Sequence, residues 1–159
     1  GLIREQIINY KFNNEAYKYR AISNFILNNF ILKNFKLFQT LNNYNVIIPV
    51  PVSKKRFKER GYNQSELIAK QIAKGLNKIV LNDCLYKVKN IVAQSTLNKE
   101  QREKNIKDAY KLKNNQQLFN KNILLIDDIF TTGSTVNECS RILQYAKPNR
   151  IGVLTIAKD

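Results

Sequence analysis

Residues 123–135 read ILLIDDIFTTGST, and this stretch constrains the fold more than any other. Four consecutive aliphatic side chains suit a strand of a mostly parallel sheet. They run into two adjacent acids, Asp127 and Asp128, and then into a loop of small hydroxyl residues broken by Gly133. An amphipathic stretch follows, Thr135–Ala146, with Val136, Cys139 and Leu143 on one face. The unit therefore reads strand, turn, helix. In an open α/β sheet ligands sit beyond the carboxyl ends of strands, so Asp127 to Thr135 occupy the expected place of a site. A helix starting near Ser134 aims its unpaired N–H groups and positive dipole end at the loop, and Gly133 lets backbone approach an anion closely. Two carboxylates beside that cradle would repel a bare phosphate. They suit sugar hydroxyls, or a Mg²⁺ ion carried on other phosphates.

The rest of the chain supplies partners for this strand. YNVIIPVPV (44–52) predicts a buried strand closed by Pro49 and Pro51, and residues 150–157 predict a last strand. Residues 63–77 predict an amphipathic helix capped by Asn63, with Glu66 at the capping-box position and Leu67, Ile68, Ile72 and Leu76 as its stripe. Strands alternating with helices imply an α/β fold, a mostly parallel central sheet flanked by helices. Residues 14–39 predict helix, in one piece or two with a break, through Ile22, Phe25, Ile26, Ile31, Phe35 and Phe38. Aromatics at this spacing read as core, although their density would also serve base stacking. Residues 78–88 allow another strand. Residues 90–122 are polar, without Gly or Pro, and show only weak helical periodicity around 99–109; they read as a long excursion.

At 159 residues the chain fits one domain. It has no apolar run of membrane-spanning length and no secretion-signal pattern, so a cytoplasmic location is expected. Two cysteines, Cys84 and Cys139, without any histidine cannot make a zinc site and are expected reduced and buried. Glycines at 1, 61, 75, 133 and 152 cannot build either the dinucleotide or the Walker A signature, which disfavours a P-loop ATPase reading of ILLIDD. The chain carries 27 Lys and Arg against 12 Asp and Glu, a formal charge of +15, and such a field draws polyanions.

ILLIDDIFTTGST resembles the motif for 5-phosphoribosyl-1-pyrophosphate (PRPP) of the type I phosphoribosyltransferases. The resemblance implies that Asp127 and Asp128 hold the ribose hydroxyls. It also implies that Thr131, Thr132, Gly133, Ser134 and Thr135 hold the 5′-phosphate. Two further segments, PVPVSKKRFKERGYNQSELIAKQIA (49–73) and QSTLNKEQREKNIKDAYKL (94–112), are similar to the competence-associated ComF/GntX branch. The resemblance implies a type I phosphoribosyltransferase-like fold, Mg²⁺ carried with PRPP, and a pyrophosphate site in the turn after the first core strand. Ser53, Lys54, Lys55, Arg56 and Arg60 are the candidates there, with Arg56 and Arg60 preferred because guanidinium grips phosphate bidentately. The same basic run read plainly is a solvated helix entry. Gly61 is expected at a positive φ.

The excursion at 90–112 matches the family's flexible loop, at Gln94, Ser95, Arg102 and Asn105. Its charges are equally explained by exposed helix pairs such as Glu100–Lys104. No residue is assigned as a direct metal ligand. The branch is linked to natural transformation, which implies single-stranded DNA as a partner, with other competence proteins beside it. Lys54, Lys55, Arg56, Lys58, Arg60, Lys99, Arg102 and Lys104 are the candidate contacts. The alternative is a nucleobase-salvage phosphoribosyltransferase. Its hypoxanthine-guanine subclass is disfavoured, because the acid expected four positions after Asp127 is Thr131. The chain opens at Gly1 and contains no Met, so an upstream segment is expected, with the zinc ribbon that many members of the branch carry.

Overall fold

The computed structural model describes residues 16–89 and 98–159. The described residues begin with α1 (Lys18–Ile26), which continues through a π turn at Leu27–Ile31 and breaks before α2 (Phe35–Asn42). Then come β1 (Val46–Pro49), α3 (Lys54–Arg60), α4 (Gln64–Leu76), β2 (Ile79–Val80) and β3 (Leu85–Lys87). The second half holds α5 (Lys99–Ile106), β4 (Tyr110–Leu112), β5 (Asn122–Phe130), α6 (Ser134–Leu143) and β6 (Arg150–Lys158). Among the described residues no helix is long and apolar enough to cross a membrane.

Four strands form one parallel sheet in the order β2-β1-β5-β6. This is the expected fold class. The order doubles back between β1 and β5, the two central strands, and a crevice opens at such a switch point. Pairing runs from Val46 with Ile123 to Pro49 with Ile126, and the Val50 amide donates to the Ile126 carbonyl at 2.8 Å. The chain leaving β1 and the acids at the end of β5 therefore emerge side by side.

Strand alternation splits the core into two layers. Ile123 and Leu125 face Val136, Cys139 and Leu143 of α6 together with Leu85 and Tyr110. Leu124 and Ile126 face Ile68 and Ile72 of α4 and Ile26 and Ile31 of the N-terminal helices. The next two positions inherit this alternation, so Asp127 continues the α6 side and Asp128 the α4 side.

Four expectations change. The polar excursion is not structureless: it holds α5 and β4, and β4 pairs antiparallel with β3 from Leu85–Leu112 to Lys87–Tyr110. A strand of three residues is too short to register as alternation, and its partner lies outside any local window. The capping box of α4 does not close. Asn63 does accept from the Ser65 amide at 3.0 Å, but Glu66 instead pairs with Lys70 and accepts from Asn82. The basic run after β1 is a seven-residue helix rather than a turn. Finally, Phe25 and Phe35 are exposed while Ile26 and Ile31 are buried and Phe38 packs partly buried against them, so the N-terminal stripe is core only in part.

Candidate functional site

At the switch point, Asn63 ties the chain leaving β1 to the start of α4. Its side-chain amide donates to the Val50 carbonyl at 3.0 Å, while its side-chain oxygen caps α4. Two residues on, the Ser65 hydroxyl donates to Asp127 Oδ1 at 3.2 Å, and the same oxygen accepts from the Asp128 amide at 2.9 Å. Asp128 Oδ1 in turn accepts from the Ile129 amide at 2.8 Å. Both acids are buried, at 9% and 4% exposure.

Their surroundings differ as the alternation requires. Asp127 lies by Tyr110 and Cys139, and burial first, then neighbouring negative charge that includes Asp127, pushes both of those groups up. The Tyr110 side chain lies close to those of Thr135 and Cys139. Asp128 lies on the other side, near Arg60. Burial and the Arg56 guanidinium push Arg60 down, and the charge of Asp128 opposes them.

The loop opens α6 through a left-handed glycine. Gly133 sits at φ +81° as the cap residue of α6, and a Cβ there would meet the Phe130 ring at 2.9 Å. The Thr132 and Ser134 hydroxyls are 2.7 Å apart, and the Asn137 amide donates to the Gly133 carbonyl at 2.9 Å. Thr131 is exposed, Thr132 and Thr135 are half-buried, and Gly133 and Ser134 are buried.

Across the crevice, α3 carries Lys54, Lys55, Arg56 and Lys58 into solvent, and Arg60 is half-buried. Ser53 accepts from the Arg56 amide at 3.3 Å, which gives it a capping role at the start of this helix. Gly61 closes α3 at φ +81°, as expected. Gln64 is buried at 2% exposure, and its Nε2 has no hydrogen-bond partner among the described residues.

Of the loop candidates, Gln94 and Ser95 lie outside the described residues, as do the side chains of Lys99 and Arg102. Asn105 is half-buried in α5, and Lys104 pairs with Glu100 at 2.9 Å on the solvent side. Among the described residues no group of three His, Cys, Asp or Glu is placed to hold a metal ion. A Mg²⁺ carried on the ligand's own phosphates needs no such group. Concavities of about 430 and 390 Å³ are lined, the first by residues 114–117 and the second by Asn115, Gln116, Phe119 and residues 145–147. They lie at the amino end of β5, away from the acids.

Sequence reasoning missed Ser65 and Tyr110 as site residues. Ser65 stands in the first turn of an amphipathic helix and Tyr110 in a polar stretch, both far from the motif in the chain. The phosphoribosyl transferase domain matches residues 63–159. The chain belongs to that family. The chain is also 32% identical over 153 residues to competence protein F of Haemophilus influenzae, covering 96% of this chain and 66% of that protein. DNA utilization protein YhgH of Shigella flexneri is 31% identical over 97 residues, 61% of this chain and 42% of its own. These relatives bear out the resemblance to the competence-associated branch, and the chain spans less than two thirds of either. A solved allosteric regulatory enzyme of purine biosynthesis superposes with a TM-score of 0.55 at 16% identity, over 87% of this chain and 25% of that one. That likeness concerns the fold alone.

Proposed function

We propose that this chain is a single phosphoribosyltransferase-like domain that binds PRPP with Mg²⁺ and handles incoming single-stranded DNA in the cytoplasm during natural transformation. The observation that carries the reading is the convergence at the switch point. Two buried acids, a left-handed glycine opening a helix, and a basic helix meet at the carboxyl ends of β1 and β5. In this reading Asp127 and Asp128 take the ribose hydroxyls, and the loop from Thr131 to Thr135 takes the 5′-phosphate. Arg56 and Arg60 neutralise pyrophosphate, with Lys54 and Lys55 adding charge. Arg60 is the best placed of these, since it already lies beside Asp128. Mg²⁺ would supply charge neutralisation between the pyrophosphate oxygens. The DNA half of the proposal is supported by the names of the relatives and by the +15 charge, since release of counterions from a phosphate backbone drives such binding.

A thermal melt with PRPP and Mg²⁺ tests the site. At about 100 times Kd, linkage adds about 2.7 kcal/mol, worth several degrees in a domain of this size. Replacing Asp127 and Asp128 together by Asn removes that rise while the unliganded protein still melts cooperatively. A double variant that responds like the parent sinks the ribose assignment. For DNA, single-strand affinity across a salt series must fall steeply, and reversing the charge of Lys54, Lys55 and Arg56 must flatten the slope.

A further inference from the structure

The N-terminal helices present a surface that the switch-point site does not use. Tyr17, Phe25, Phe30 and Phe35 are 70%, 50%, 51% and 72% exposed, and Phe25 and Phe30 meet edge to face with centroids 5.9 Å apart. These rings are not the helices' core face, which Ile26, Leu27 and Ile31 supply. Asparagine and lysine stand between them. The Asn29 amide donates to the Phe25 carbonyl, and Lys33 Nζ donates to Asn29 Oδ1 at 3.2 Å, which sets a cation along the turn that bears the ring pair. Lys36 is exposed one position after Phe35. From residue 16 to residue 42 the sequence has four Lys or Arg and no Asp or Glu.

Exposed rings interleaved with cations, with no acid among them, match one kind of partner. Bases stack on aromatic faces whatever their identity, and the cations track the phosphates. A duplex hides its base faces, so such a platform selects unpaired strands. We propose that α1, its π turn and the start of α2 form a stacking platform for single-stranded nucleic acid through Phe25, Phe30 and Phe35, with Lys33 and Lys36 on the backbone. The inference rests on the DNA-handling part of the proposed function and places a second contact surface apart from α3.

The test is anisotropy of a fluorescein-labelled twenty-mer of deoxythymidine, with a duplex of equal length beside it. Replacing Phe25 and Phe30 by Ala weakens single-strand binding about tenfold. It leaves the salt slope unchanged, because no charge is removed. Replacing the pair by Leu has the same effect, since Leu keeps apolar bulk but has no π face. K33E with K36E flattens the slope instead. Phe35→Ala, at the exposed start of α2, gives an independent reading should the double variant melt early. Single-strand affinity equal to the parent's in all three Phe variants overturns the platform. So does sedimentation showing a parent dimer that the Ala pair disperses without loss of DNA affinity, since the face is then a contact between copies. If the parent itself ignores the twenty-mer, the DNA half of the proposed function falls with it. If only the Phe variants are silent while α3 charge reversal weakens binding, the platform alone is wrong.

Discussion

The Ser65 hydroxyl, at the start of α4, donates to Oδ1 of Asp127 at the end of β5, 62 residues later in the chain. This bond fixes the first acid of the motif relative to the helix that also caps β1 through Asn63. Ser65→Ala leaves a buried carboxylate oxygen one donor short, at a cost of about 1–3 kcal/mol. Urea denaturation at neutral pH reads the loss, and the PRPP-induced rise in Tm shrinks in parallel. Unchanged stability would mean that the contact holds nothing in place.

The two left-handed glycines separate backbone strain from crowding. Gly61 has open space around its missing Cβ, so Gly61→Ala costs only the strain of φ +81°, about 1 kcal/mol. Gly133 has the same φ, but its Cβ would press on the Phe130 ring at 2.9 Å. Gly133→Ala therefore costs more, about 2 kcal/mol or above, and distorts the proposed phosphate cradle. Urea midpoints at constant m order the two variants, and equal midpoints would refute the crowding argument.

Both cysteines are free and fully buried. Burial pushes the Cys139 thiol well up, with the charge of Asp127 adding to the effect, and burial also pushes up Cys84, although the Gln117 amide donates to its sulfur at 3.1 Å. The thiolate is the reactive form, so neither cysteine reacts with Ellman's reagent in the native protein at mildly alkaline pH. Denaturant releases two thiols per chain. Rapid native labelling would place one of them at an open surface.

Glu138 on α6 holds the antiparallel pair against the sheet. It accepts from Arg141 and from the Asp108 amide at 2.9 Å, and Asp108 sits at φ +57° two residues before β4. The hydrogen bond from Arg141 comes first among the causes that lower the Glu138 pKa, with the Asp108 amide adding to it. A folded pKa below the unfolded one gives stability that is present above the ordinary carboxylate range and is lost as pH falls through the folded value. The stability gap between the parent and Glu138→Gln is thus widest near neutrality and narrows in acid. Denaturation at neutral and acid pH measures it, and a gap that widens in acid contradicts the sign.

Local chemistry determined a large part of this molecule. Val46–Pro49 and Asn122–Phe130 are strands because their aliphatic runs can only be buried, Arg150–Lys158 lines the half-exposed sheet edge beside them, and the strand ends fall within a few residues of the apolar runs. Asn63 caps α4 and Gly133 opens α6 because one side-chain oxygen and one missing Cβ act over two or three residues. The acid pair and the loop were likewise legible, since they form one contiguous string.

Tertiary structure decided what no window of that length contains. The order β2-β1-β5-β6 brings the end of β1 beside the acids, and the β3–β4 pair carries Tyr110 beneath the loop to reach Thr135. It turned Phe25 and Phe35 outward although their spacing matched their buried neighbours, because only packing against α4 chooses which part of a broad apolar stripe is covered. Helical and strand periods come from backbone geometry within a few residues. Pairing and burial depend on which distant surfaces fit together, and a linear pattern does not encode that directly.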